Sequence, residues 1–470
     1  MTAGGAPRWS SSARAAALDA LLATRDGPEP ILRRQRERFA EIVAFARRAS
    51  PVYRDRYRDL PDGIRDPGLL PPVSKRDLMP RFDDWVTDPA VTRAIVDDWI
   101  SRPETVGHLL LGRYLVATTS GSTGHPAIVL LDAPARAIAN AERIRGAGSV
   151  PWGRVLAALV RERGRVAAVV ATGGHYGAAA LVALHQRTNP LAAGIRVIPA
   201  QAPLDSITAL LAADPPAVLS GYATAIRLLA GEQRAGRLRI RPALVVTTAE
   251  TLTPEDRAII EASCGCPVAG GYGATEAPPI AVTCRHGQMH QNADWILLEP
   301  VDADGRPVPP GVASHSALVT NLANRVQPII RYDLGDRITL LPAPCPCGSP
   351  LPVIRVEGRT DDVLLLPRAA GGLVPVLPLA LGAAIEETAG VERFQAIQSG
   401  ARTIDIRLQP LPGADPDRVW SGVRAAVRAF LAAQGVAGTR IRRSPEPPHP
   451  TAGGKFRQVF RAPGLVLPPL

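Results

Sequence analysis

The sequence predicts an α/β fold: a large N-terminal α/β domain of parallel-rich sheets with helices, followed by a small α+β C-terminal domain. Three observations predict it. Short apolar runs alternate with helical stretches from about residue 110, a length of 470 residues exceeds what one ordinary core organises, and the texture changes near residue 361. Residues 1–110 read as a helical N-terminal region of the large domain, 111–360 as its core, and 361–470 as the small domain.

Each element follows from its own pattern. Residues 29–60 place Leu32, Phe39, Ile42, Val43 and Ala46 near helical spacing, and the Pro-rich stretch "DLPDGIRDPGLLPPVSKRDL" then breaks the run. Beyond residue 110, "RYLVATT", "RVAAVVATG", "PAVLSG", "ALVVTTAE" and "CPVAGGYG" read as strands, with stretches such as the amphipathic "ATAIRLLAGEQRAG" between them. A parallel sheet covered by helices requires that alternation. In the last region "RTIDIRLQP" alternates with strand period, and "DPDRVWSGVRAAVRAFLAAQG" has an Asp start and a Gly stop for a helix.

Composition excludes several classes. The chain is 46% hydrophobic and 21% charged, and no uninterrupted apolar run approaches the roughly 18 residues of a membrane span. The N-terminus lacks the charge, apolar and cleavage order of a secretory leader, so a cytoplasmic chain is expected. A net charge of +11 raises nucleic acid as a partner. However, the basic clusters "RRQRER", "RLRIRP" and "TRIRR" lie far apart, and aromatics are only 4%, so solvated helix faces explain them better. Five cysteines, an odd number in an unexported chain, do not predict a disulfide framework.

Lysine usage marks one residue for chemistry. Of 54 basic residues only Lys75 and Lys455 are lysines. Arginine replaces lysine wherever charge alone is wanted, but a planar guanidinium cannot approach a crowded oxygen as a compact ammonium does. Lys455, in "TAGGKFRQVF", is therefore a candidate catalytic group. A second candidate is the loop Thr118, Thr119, Ser120, Gly121, Ser122, Thr123 and Gly124, between two apolar runs. Its glycines let backbone amides approach an oxyanion and its hydroxyls add donors, although a hairpin turn of small polar residues reads equally well. It lacks the Gly-Lys-Ser/Thr ending of a Walker loop.

Five motifs in order carry a resemblance: "TTSGSTGHP", "GGYGATE" (270–276), "RYDLGD" (331–336), "EGRTDDVL" (357–364) and "TAGGKFRQV". Over roughly residues 65–460 the chain resembles the adenylate-forming superfamily of acyl-CoA synthetases, adenylation domains and luciferases. "PPVSKRDL" around Lys75, "CPCG" and "IIRYDLGD" resemble its phenylacetate-CoA ligase branch. The resemblance implies an AMP-forming ligase that joins ATP to a small aryl or short-chain acid, releases pyrophosphate, and passes the acyl group to a thiol, CoA foremost. An amine or carrier-protein thiol as acceptor, an oxyacid such as nitrite as substrate, and a non-catalytic nucleotide-binding homologue are the alternatives.

Roles carry over residue by residue. Lys455 would bridge carboxylate and α-phosphate, Thr118 to Gly124 would hold the outer phosphates with Thr123 the foremost hydroxyl, and Glu276 would hold Mg²⁺. Gly271, Tyr272, Gly273, Ala274 and Thr275, with Ala249 and Glu250, would form the adenine segment, Tyr272 stacking on the base. Asp336 would accept the ribose hydroxyls, Arg359 would donate to ribose or phosphate, and Asp361 would be the hinge of a mobile small domain. His175, Tyr176, Tyr222, Gly271 and Ala277 would line the acyl pocket. Two departures stand out. Ala127 occupies a position where relatives often carry lysine, and "LLLPRAAGGLVPVLPLAL" lacks the residues that commonly line a pantetheine tunnel.

"TCRHGQMH" and "PCPCG" supply a possible structural zinc site of Cys284, His290, Cys345 and Cys347, with His286 the spare. Buried unliganded thiols are the alternative.

Overall fold

A computed structural model describes residues 15, 18–19, 22–25, 27–118, 127–146, 150–172, 174–189, 192, 194–250, 252–356, 363–368, 371–449, 457–462 and 465. The chain forms two compact units, one of residues 1–117, 128–152 and 269–358, the other of 118–127, 153–268 and 359–470. No helix among the described residues is long and apolar enough to cross a membrane.

In the first unit the helix Pro28–Ala49 buries Ile31, Phe39, Ile42, Val43 and Ala46. Leu32, which the periodicity places on that face, is 39% exposed, and its neighbour Ile31 takes the core position. Ser50 ends the helix in an extended conformation because Pro51 follows, and Pro51 opens the short helix Pro51–Arg56. The helix Ala133–Gly146 contributes Arg145, whose guanidinium meets both carboxylate oxygens of fully buried Asp294 at 2.7 Å. Arg38 lies 3.4 Å over the Trp295 ring and donates to the Asp294 carbonyl at 2.7 Å, so the long N-terminal helix is fastened to the 292–296 loop. Such a buried pair fixes geometry more than it stabilises, since desolvation offsets most of its attraction.

The strands of this unit pair antiparallel. One run has the spatial order Ile338–Leu341, Val353–Val356, Met289–Gln291, Ala277–Thr283, Val268–Ala274. Another joins Ile296–Val301, Ser316–Asn321 and Ile329–Asp333.

The second unit holds the parallel sheet that the alternation predicts, in the order Leu244–Thr248, Val218–Tyr222, Val166–Val170, Ile195–Pro199. Its helices include Gly177–Thr188, Leu204–Ala213, Ala223–Arg234 and Pro254–Cys264. Val169, Leu219, Ile226, Val245 and Ile260 form its core, which is why the strands read as near-continuous apolar runs. Residues 364–461 of the same unit build a separate core around Leu364, Ile385, Phe394, Ile404, Val423 and Val459. Here the sheet order is Arg440–Arg443, Thr403–Pro410, Val391–Gly400, Val459–Arg461. The helix Pro416–Ala433 covers it with Val419, Val423, Val427 and Leu431. Asp415 caps that helix by accepting from the Asp417 amide at 2.9 Å, and Gly435, at φ +73°, follows its end.

Candidate active site

In the first unit a hairpin carries the "GGYGATE" motif. Its strands Val268–Ala274 and Ala277–Thr283 pair Gly271 with Val282 and Tyr272 with Ala281, and Thr275 and Glu276 form the turn. A side chain at Gly271 would not fit, because its Cβ would stand 2.9 Å from the Ala281 carbonyl oxygen. Ala277 is fully buried at the start of the return strand.

The motif residues meet the "RYDLGD" segment. The Tyr272 hydroxyl donates to an Asp336 carboxylate oxygen at 2.8 Å. Asp336 follows a turn that Gly335 makes possible at φ +69°, the Gly335 amide donating to the Asp333 carboxylate at 3.0 Å. Glu276 is buried, and the Tyr332 hydroxyl donates to its carboxylate. Burial pushes the Glu276 pKa up, as does the nearby Asp336 carboxylate, while the Tyr332 hydrogen bond and the Lys75 ammonium pull it down. Tyr272, Glu276, Tyr332, Asp336 and Lys75 therefore form one cluster.

Lys75 reaches that cluster by a strap. Val73 pairs in parallel with Tyr332, its amide donating to the Arg331 carbonyl at 3.0 Å and its carbonyl accepting from the Asp333 amide at 2.8 Å. Arg331 is buried, donates to the Leu70 carbonyl and pairs with Glu299 at 3.1 Å. A capping box of Ser74 and Asp77 then starts the short helix Lys75–Leu78. The scarcity of lysine that marks Lys455 marks Lys75 equally, and sequence reasoning used only the first.

A second set of residues, which sequence reasoning missed, carries only a faint signal. Asn321 donates to the Glu276 carbonyl at 3.0 Å, Asn324 to the Leu130 carbonyl at 2.8 Å and Gln327 to the Ile128 carbonyl at 3.0 Å. This ladder ties the strand Ile128–Leu131 to the turn that bears Glu276. Its spacing of three is the available signal.

In the second unit Thr118 ends the strand Tyr114–Thr118, and its amide donates to the His175 carbonyl at 2.7 Å. His175 is buried. Tyr176 precedes the helix Gly177–Thr188, and its hydroxyl donates to Glu387 at 2.5 Å. The Tyr222 hydroxyl accepts from the Ala171 amide at 2.8 Å, and burial pushes its pKa up to about 12. Glu250, expected beside adenine, spends its carboxylate on the N-terminus of the helix Ala223–Arg234, accepting from the Thr224 amide at 2.7 Å. Ala249 adopts φ +65°, an uncommon conformation for a residue with a Cβ. Thr119, Ser120, Gly121, Ser122, Thr123, Gly124, Arg359, Asp361 and Lys455 lie outside the described residues.

The cysteine cluster belongs to the first unit. The ligand atoms of Cys284, His290, Cys345 and Cys347 all lie within 4.8 Å of one another. Cys284 Sγ and Cys345 Sγ are 3.7 Å apart, and Cys347 Sγ is 3.4 Å from His290 Nε2. Two thiolates on one tetrahedral zinc would stand about 3.8 Å apart, given Zn–S bonds of ~2.3 Å. A disulfide would need about 2.05 Å. His290 Nδ1 faces the Leu351 carbonyl at 3.1 Å, an arrangement that leaves Nε2 for a metal, and backbone amides of His286 and Ser349 point at Cys284 and Cys347 sulfurs at 3.4 Å. His286 itself is exposed, its ring beside Arg285. The donor set and spacings fit zinc.

No protein-family model and no curated protein matches the chain. Solved structures do. A 2-hydroxyisobutyryl-CoA ligase in complex with 2-HIB-AMP and CoA in the thioesterification state is similar at a TM-score of 0.55 and 21% identity, over 91% of this chain and 88% of that one. The same ligase in the postadenylation state with R3-HIB-AMP is similar at 0.53 and 20%, over 98% and 94%. Its open conformation with 2-HIB-AMP and CoA gives 0.52 and 21%, over 92% and 91%. The chain has the fold of that adenylate-forming ligase.

Proposed function

We propose that this chain is an AMP-forming acid–thiol ligase that adenylates a small aryl or short-chain carboxylic acid with ATP and transfers the acyl group to CoA. The observation that carries the reading is the meeting of Tyr272, Glu276 and Asp336, from two of the five ordered motifs, with Lys75 of the "PPVSKRDL" stretch, within a fold shared with a CoA ligase.

The chemistry explains why such groups are needed. A carboxylate oxygen attacks the α-phosphorus, the bond to the bridging oxygen of the β-phosphate breaks, and pyrophosphate leaves. Two anions meet in that step, so preorganised positive charge and donors must stand where negative charge builds. Lys455 is assigned to bridge the reacting oxygens, Lys75 adds a second ammonium, and Thr118 to Gly124 receive the outer phosphates with Thr123 as the foremost hydroxyl donor. Tyr272 offers an aromatic face to adenine and Asp336 accepts the ribose hydroxyls, with Arg359 donating alongside. Mg²⁺, when bound, neutralises phosphate oxygens, and Glu276 is the carboxylate that would hold it. Thiolate sulfur then attacks the acyl carbonyl and AMP leaves. Asp361 is assigned the hinge between the two steps, and His175, Tyr176, Tyr222, Gly271 and Ala277 the acyl pocket.

Zinc is assigned to Cys284, His290, Cys345 and Cys347 as a structural ion, because all four positions of a tetrahedral site are filled by protein.

Pyrophosphate release over a panel of aryl and short-chain acids, with and without CoA, tests the proposal. Release stimulated by one acid, thioester formation with CoA, and loss of both in Lys455→Ala are expected. Turnover only with an amine or carrier protein replaces the acceptor, nitrite-dependent release replaces the acid, and ATP binding without any release overturns the enzyme.

A further inference from the structure

Within the second unit a chain of hydrogen bonds connects two segments that carry separate motifs. It begins at Thr118, the first residue of the Ser/Thr/Gly loop, whose amide donates to the His175 carbonyl at 2.7 Å. Tyr176 pairs with Thr118 in a parallel bridge. Its ring packs over Gly174, where an added Cβ would lie 3.4 Å from the ring, and its hydroxyl donates to Glu387 Oε1 at 2.5 Å. Glu387 follows the helix Pro378–Glu386, and Glu386 accepts from Gln458 Nε2 at 2.8 Å. Gln458 stands three residues beyond Lys455 and immediately before the strand Val459–Arg461.

We propose that Tyr176 and Glu387 are a positioning pair that fixes Thr118, where the Ser/Thr/Gly loop starts, relative to Gln458 and the strand Val459–Arg461, which follow Lys455 in the sequence. This deepens the ligase reading and rests on it for its catalytic consequence. The donor in the pair is the tyrosine, because burial and the Glu387 carboxylate both hold the phenol in its protonated form. Its one proton is committed to Glu387, so a bound acid meets only the ring face and the lone pairs of Tyr176. Asp205 with Arg368 at 2.8 Å, and the Gln201 carbonyl accepting from Gln434, join the same two stretches of chain elsewhere. Loss of the pair therefore loosens the alignment without detaching the segment.

Amide hydrogen exchange read by mass spectrometry on the full chain, with Glu387→Ala, Glu387→Gln and Tyr176→Phe, tests the pair without turnover. Severalfold faster exchange at both ends, around Thr118 and over residues 457–461, is expected in Glu387→Ala and Tyr176→Phe. Near wild-type exchange is expected in Glu387→Gln, whose amide oxygen still accepts. Unchanged exchange in Tyr176→Phe, or acceleration confined to one end, overturns the pair even if Glu387→Ala fails to fold. Where the wild type releases pyrophosphate, Glu387→Ala and Tyr176→Phe should lower kcat about tenfold to a hundredfold with KM for ATP and acid nearly constant, a split expected of misalignment. The double variant should be no slower than either single one. A wild type that releases no pyrophosphate defeats the ligase reading, and hydrogen exchange still decides the pair.

Discussion

Tyr272 and Asp336 hold each other, hydroxyl to carboxylate at 2.8 Å, across 64 residues of sequence. The bond orients the aromatic face assigned to adenine and also occupies one oxygen of the carboxylate assigned to ribose. Phenylalanine at 272 keeps the face and removes the bond. Hydrogen bonds to charged groups are worth about 1.5–3 kcal/mol, but Asp336 is half-buried and regains water, so a loss near 1 kcal/mol is expected. Tyr272→Phe should raise KM for ATP about fivefold and leave kcat within about twofold. A KM unchanged in steady-state assays means the bond plays no part in nucleotide binding.

On the ligase reading, Glu276 as the Mg²⁺ carboxylate should set an acid limit on activity. Burial is the largest influence and lifts its pKa above the ordinary 4.5, while Tyr332 and Lys75 oppose the lift. A carboxylate must be ionised to hold a cation, so turnover should fall as pH drops through the raised value. Lys75→Met removes one opposing influence and should move the acid limb of the pH–rate profile upward. A limb that stays put or moves down separates Lys75 from Glu276.

The same burial has a consequence for stability. A carboxyl whose folded pKa is raised favours folding most below its unfolded pKa, and that contribution disappears as pH rises through the folded value. At neutral pH the ionised Glu276 is thus a burden on the fold, and Glu276→Gln should relieve it. A gain of roughly 0.5–2 kcal/mol in denaturant unfolding near pH 7.5, with activity abolished, is expected. A less stable glutamine variant contradicts the assigned cost of burial.

The fold was legible where burial is symmetric. Val166–Val170 sits between Val218–Tyr222 and Ile195–Pro199 in a covered parallel sheet, so its sequence is apolar on both faces and announces itself. Ile195–Pro199 is half-buried over most of its length, and "GIRVIPA" gives a weak strand signal. Of the candidate site, Tyr272, Glu276 and Asp336 could be named from motifs. What tied them to Lys75 could not, because the bridge from Val73 to Tyr332 joins residues about 260 positions apart and leaves no local periodicity. The Asn321, Asn324 and Gln327 ladder stayed hidden for a related reason: its partners are backbone carbonyls, which any sequence supplies.

The zinc assignment makes the last prediction. Four soft or borderline ligands converge at spacings that suit one tetrahedral ion and do not suit a disulfide. Without an ion the cluster would bury thiols around an imidazole with few partners, and burial already pushes the Cys345 thiol up to about 11. Zinc would replace those protons and tie the turn after Thr283 to the "CPCG" turn, closing a loop of about 60 residues. Protein purified without chelator should carry about one zinc per chain, and a strong chelator should lower its unfolding midpoint by roughly 5 °C or more. Cys345→Ser should lose the metal and show the same lowered midpoint with or without chelator, while His286→Ala should keep both metal and midpoint. Metal-free wild type whose midpoint ignores chelator, with Cys345→Ser equally stable, leaves the four residues as packed thiols and a core histidine.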